Sequence, residues 1–166
     1  MMLDSSLLWL HDTPFGTLVR ESTWAEPIIE TIHVLTLTIF LGLVILLDLR
    51  LLDLALRQTR VATIFSQLKP WIFAAFGIML VTGISLFAGD PVLFYGTIFF
   101  KLKMLMLLAA ALNVVVFNVT LGRTLVQWDQ LPRTPRGAKL TGLLSLILWI
   151  SVVACGRGIA YVLPPP

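Results

Sequence analysis

Glu30 and His33 stand three residues apart inside a long apolar run, and that spacing puts a carboxylate and an imidazole on one face of a helix. Glu26 extends the same stripe by one turn. The chain has one other histidine, His11, nearer the N-terminus. Ionisable groups within lipid are costly, so they normally face a bundle interior or water and need a partner. Three chemistries are open to the pair. In the first, Glu30 pairs with Arg157 or Lys103 and His33 makes a packing hydrogen bond, as in a non-catalytic scaffold or assembly subunit. In the second, His33 ligates copper or the iron of haem b, with Met104, Met106 or His11 as second ligand, because imidazole and thioether suit both metals. In the third, Glu30, His33 and Arg157 line a quinone or proton-transfer site, because imidazole titrates near neutrality.

Arg157 lies in Cys155-Gly156-Arg157-Gly158, where two glycines leave room around the guanidinium. An arginine so placed suits a carboxylate, a haem propionate or a phosphate; its alternative role is snorkelling near a helix end. Lys101 and Lys103 point to different helix faces, so at most one looks inward. Toward the opposite ends of the apolar runs, Asp48, Arg50 and Arg123 can form a structural ion-pair group, and Asn113 and Asn118 can hydrogen-bond across helices. Other chemistries find no support. A di-iron bundle needs Glu-x-x-His twice, and it occurs once. One Cys and two His lack zinc-ligand spacing. No phosphate loop, nucleophile elbow or dinucleotide fingerprint is present, and the Asn118-Val119-Thr120 sequon falls at the end of an apolar run.

These residues need helices to position them. Four apolar stretches, about 27–49, 70–88, 104–121 and 140–162, are each long enough to cross a bilayer core of roughly 30 Å. The chain is 58% hydrophobic and 13% charged, with mean hydropathy +0.94, so its solvent is lipid. The predicted fold is all-α: an integral membrane four-helix bundle over 27–166, preceded by short amphipathic interfacial helices in 1–26. Asp12-Thr13-Pro14 is a capped helix start, and the N-terminus lacks the basic region of a cleaved signal peptide. Lys69-Pro70 is expected to open span two, Lys101 and Lys103 to precede span three, and Pro164, Pro165 and Pro166 to stop span four. Gln127 to Gly137, with Pro132 and Pro135, is expected to be a loop.

With four spans, the linkers near 50–69 and 122–139 share one side. They carry eight Lys and Arg against Asp48, Asp53 and Asp129, whereas the other side carries four basic residues against six acidic ones. Basic residues accumulate in cytoplasmic loops, so both termini are expected outside, in the periplasm. The basic excess, with a pI near 9.4, marks topology and attraction to anionic lipid rather than a nucleic-acid partner. Expected partners are the bilayer and a larger membrane complex or a second copy of the chain. The lack of a soluble domain argues against an autonomous enzyme.

Three segments carry a family likeness: Pro27 to Leu35 with Gly42 and Asp48-Leu49-Arg50-Leu51-Leu52, Lys101-Leu102-Lys103-Met104 with Leu112-Asn113, and Gly156 to Tyr161. In these the chain resembles an uncharacterised family of small bacterial four-helix membrane proteins, and is loosely similar to copper-resistance and cytochrome b-type modules. The resemblance implies a bacterial inner-membrane protein of unassigned function. In that family's pattern a His often follows the Phe at the position that Asn118 occupies here. This departure counts against a haem held by two histidines.

Overall fold

Apolar runs punctuated by capping residues make this chain a succession of helices. The computed structural model describes residues 2–130 and 133–162. Pro132 and the closing Pro164, Pro165 and Pro166, assigned above to a loop and a helix stop, lie outside the described residues. Two short helices come first, α1 (Met2–His11) and α2 (Pro14–Glu21). Four helices long and apolar enough to cross a membrane follow: α3 (Ala25–Leu51), α4 (Val61–Gly89), α6 (Ile98–Thr120) and α8 (Arg136–Val162). Short helices α5 (Pro91–Gly96) and α7 (Leu125–Trp128) lie between them, the latter preceded by a 3₁₀ turn over Gly122–Thr124. The described residues hold no strand. This is an all-helical membrane protein.

The caps set the boundaries. Thr13 accepts a hydrogen bond from the Gly16 amide at 3.1 Å, with Pro14 as the first residue of α2. Asp90 accepts from the Leu93 amide at 3.0 Å to open α5, and Thr97 from the Phe100 amide at 3.2 Å to open α6. Starting at Ile98, α6 takes Lys101 and Lys103 into its first turns rather than leaving them ahead of the span.

Span two also departs from expectation. Helix α4 starts at Val61 and continues past Pro70, the residue expected to open it. The reason is tertiary. Asp129, 68 residues away, accepts the Val61 amide at 2.8 Å and the Ala62 amide at 2.9 Å, fixing the helix start a full nine residues before the proline. Membrane helices tolerate an internal proline because neighbouring groups re-satisfy the freed backbone.

Helices α3 and α4 pack as one hairpin, α6 and α8 as another, and α3 against α8 joins them. The central core is Phe40 and Val44 of α3, Ala75 and Met79 of α4, Ala110 of α6, and Trp149 and Val152 of α8. Phe40 meets Trp149 edge to face, ring centroids 4.6 Å apart. A second cluster (Leu51, Val61, Phe117, Trp128 and Ala138) closes the end that holds the two connecting turns, called here the turn end. At the opposite, terminal end, α2 lies on the end of α4. Gly16 makes that approach possible, since a Cβ there would fall 2.6 Å from the Ala88 carbonyl oxygen. Arg20 then donates from Nη1 to the Gly89 carbonyl at 3.0 Å, satisfying a helix-terminal acceptor with a cation.

Candidate functional site at the terminal end

His33 sits eight residues into α3, about 12 Å below its terminal end at 1.5 Å per residue. It is half-buried against α4, where its Nδ1 lies 2.8 Å from Thr82 Oγ1. Thr82 is buried, and its hydroxyl donates to the Ile78 carbonyl at 2.8 Å. With the hydroxyl's one proton on that carbonyl, Thr82 Oγ1 would accept from His33 Nδ1; with it turned to the ring, Nδ1 would accept and Nε2 would carry the proton. Nε2 has no hydrogen-bond partner among the described residues. Gly83 borders the ring: a Cβ there would stand 3.4 Å from His33 Cε1.

Lys103 of α6 turns into the same region. Its Nζ lies beside Gly156 of α8, 3.6 Å from where a Cβ would stand. His33 and Cys155 both lie within reach of its charge. No carboxylate pairs with Lys103 among the described residues. The four long helices thus bring together an imidazole with a free ring nitrogen, a buried hydroxyl, an ammonium and a thiol. This set offers donors at Lys103 and, at Nε2, an acceptor or a donor according to tautomer.

The other candidates are placed elsewhere. Glu30 is exposed and pairs with neither Lys103 nor Arg157 among the described residues. Arg157 is exposed too, its guanidinium 5.3 Å from the ring centroid of Tyr161 on its own helix. Met104 is half exposed, Met106 packs on the central core, and His11 Nδ1 lies 3.0 Å from Asp12 Oδ1 on the terminal surface. Among the described residues no three His, Cys, Asp or Glu side chains gather around a common point. This donor set does not fit copper: the Lys103 charge reaches His33 and opposes a metal cation, and the thioether of Met104, expected as second ligand, is half exposed. For a haem iron, His33 would be the one ligand: Met104 is half exposed and His11 is engaged by Asp12.

At the turn end, the structure builds a different group in place of Asp48–Arg50–Arg123. Helix α3 ends in a Schellman turn: the Leu54 amide reaches the Leu49 carbonyl at 2.9 Å and the Asp53 amide reaches the Arg50 carbonyl at 3.1 Å. Asp53 takes the left-handed position at φ 58°, where glycine is usual. The turn aims its carboxylate back into the protein. Asp53 Oδ1 accepts from Arg50 Nη1 at 3.0 Å and from Thr134 Oγ1 at 2.6 Å, and Oδ2 meets Lys139 Nζ at 2.8 Å. Burial alone would raise this carboxyl, but Lys139 and Thr134 outweigh it and hold it down from the usual 3.8 to about 2. Arg123 is exposed. Asp48 is buried facing Ser145, with Oδ2 unpartnered among the described residues.

Asn113 Nδ2 crosses to the Thr141 carbonyl of α8 at 3.0 Å, whereas Asn118 Nδ2 returns to Val114 of its own helix at 2.8 Å. Sequence reasoning missed Thr82 and Gly83, because a threonine and a glycine in an apolar span look like packing. It counted Asp53 and Asp129 only as charges; nothing local to either marks its distant partner.

Neither a curated protein nor a solved structure matches the chain. The segment 22–162 does match a family model, and it takes in all four long helices and the whole terminal-end site while leaving out α1 and α2. The chain therefore belongs to DUF6644, a family of unknown function.

Proposed function

We propose that this protein is a small redox-associated membrane subunit whose terminal-end site docks the head of a lipid-soluble quinone. The observation that carries this reading is that His33 Nε2 has no hydrogen-bond partner and Lys103 no carboxylate partner among the described residues, with the imidazole within reach of the Lys103 charge. A quinol hydroxyl can donate to Nε2, and a quinone carbonyl can accept from Lys103. Thr82 engages Nδ1 and so leaves Nε2 to the ligand, as acceptor from a quinol or, in the other tautomer, as donor to a quinone. The apolar helix faces suit a ligand that arrives through lipid, and they leave room for a larger membrane complex or a second copy. The basic turn end supports an orientation with both termini outside a bacterial inner membrane; a reporter fused after Pro166 would then be active on the outer side.

The test is equilibrium binding of decylubiquinone to the protein in phosphatidylcholine nanodiscs, read by quenching of tryptophan fluorescence. Saturable binding is expected, weakened about tenfold or more in His33→Ala and in Lys103→Met, since a hydrogen bond to a charged group contributes about 1.5–3 kcal/mol. No saturable binding to the unaltered chain, or unaltered affinity in both variants, would overturn the quinone reading in favour of a scaffold. A Soret band or stoichiometric copper lost in His33→Ala would replace it with a haem or copper subunit.

A further inference from the structure

The turn end holds a cleft of about 540 Å³ between the α3–α4 turn and the start of α8. Arg50, Arg57, Arg60, Arg133 and Lys139 line it, against Asp53 and Asp129. The two acids offset part of this basic wall, and both are held in place by partners other than the three exposed arginines. Asp53 has both oxygens occupied by Arg50, Thr134 and Lys139. Asp129 has both oxygens on the backbone amides that open α4. Arg50 and Lys139 are consumed in turn, Arg50 Nε donating also to the Thr59 carbonyl at 2.7 Å. Arg57, Arg60 and Arg133 are exposed and have no carboxylate partner among the described residues. Arg57 is steadied by its Nε, which donates to the Asp53 carbonyl.

Three arginines therefore share one cleft, and its five basic side chains against two acidic ones leave it a net charge of +3. Guanidinium forks match the oxygens of a phosphate, and such charge-assisted pairs are the strong ones. The cleft opens where the apolar part of α3 ends, the depth at which phosphate headgroups lie if these helices span a bilayer. We propose that the cleft is a binding site for a phosphate group, carried either by the headgroup of an anionic phospholipid or by a soluble phosphate ester. The site is independent of the quinone reading, since it shares no residue with His33 or Lys103.

The experiment measures thermal unfolding of the full chain in detergent micelles, with added phosphatidylglycerol, phosphatidylcholine or glycerol 3-phosphate. A ligand that binds only the folded state raises the midpoint. Phosphatidylglycerol is expected to raise it and phosphatidylcholine to leave it unmoved. The triple variant Arg57→Gln/Arg60→Gln/Arg133→Gln should require about tenfold more phosphatidylglycerol for the same shift. A control triple variant, Lys69→Gln/Arg123→Gln/Arg136→Gln, removes the same charge from exposed residues outside the cleft and should respond like the unaltered chain. A shift with glycerol 3-phosphate that depends on the same arginines assigns the site to a soluble ester; a shift with the lipid alone assigns it to a headgroup. Equal loss in both triple variants, or no shift with either phosphate compound, overturns the proposal.

Discussion

The two ends of this bundle treat charge in opposite ways. At the turn end every oxygen of Asp53 and Asp129 has a partner, and each partnership ties one hairpin to the other: Asp53 holds Thr134 and Lys139 of the second hairpin, and Asp129 caps the second helix of the first. At the terminal end Lys103 has no carboxylate partner and His33 Nε2 no hydrogen-bond partner among the described residues. Satisfied charges in a weakly polar setting make a rigid joint, whereas unsatisfied ones are a standing cost that a ligand can relieve. On this view the carboxylate joint beneath the arginine-lined cleft is the structural part of the turn end, and the interior of the terminal end is the part open to a lipid-soluble ligand; substitutions should separate the two.

The largest effect is expected at the joint. Removing Asp53 strands the Arg50 guanidinium, whose side chain is only 10% exposed, and releases Thr134 and Lys139 at once. Asp53→Ala should cost about 2–3 kcal/mol in unfolding free energy, at the low end for a broken buried pair because Asp53 itself is partly solvated. The same interaction has a pH signature. The folded value near 2 lies below the usual 3.8, so as pH falls the unfolded chain takes up the proton first. The stabilisation is fully present above pH 3.8 and is lost as pH falls toward 2. Unfolding midpoints of the unaltered chain and of Asp53→Ala should therefore converge across that window, and parallel curves would refute the clamp. Asp129→Ala comes next, costing about 1–2 kcal/mol as a lost helix cap. Asp129→Asn should recover part of it, since one acceptor oxygen remains.

At the terminal end the sign is expected to reverse. Lys103→Met replaces an unpaired ammonium with an apolar side chain of similar length, so it should raise the unfolding midpoint by the equivalent of about 1 kcal/mol. The same substitution should weaken quinone binding about tenfold or more. Greater stability together with lost binding is the pattern of a functional site held at the fold's expense. Lower stability in Lys103→Met would instead mean that the ammonium is a structural group, and the contrast between the two ends would collapse.

The sequence made the four long helices legible because nothing but lipid explains so many apolar residues in such runs. His33 and Lys103 were legible for a related reason, as ionisable groups standing out against an apolar background. The start of α4 was not, because the cap that sets it comes from Asp129 in the other hairpin. Glu30, expected to pair with Arg157 or Lys103, is exposed instead, because residues three apart share a face only broadly. Here His33 is half-buried against Thr82 while Glu30, nearly a turn earlier, has already rotated into the open. The Asp53 network was hidden by a further step, since a left-handed aspartate turns its carboxylate toward partners that local sequence does not name.

Arg157 gives the finest test, because the glycines around it suggest a binding arginine while its side chain stacks on Tyr161 at the surface. An exposed guanidinium over an aromatic ring contributes about 0.5–1 kcal/mol, so Arg157→Gln should lower stability by no more than that. Quinone affinity should stay within about twofold of the unaltered chain, since a group with no contact to the site has nothing to lose there. The measurement needs both readouts on one preparation. A tenfold loss of affinity at unchanged stability would show that Arg157 swings inward when the ligand binds, extending the site from the bundle interior to the membrane surface. Unchanged affinity would confine the site to the groups that the four helices already bring together around His33 and Lys103.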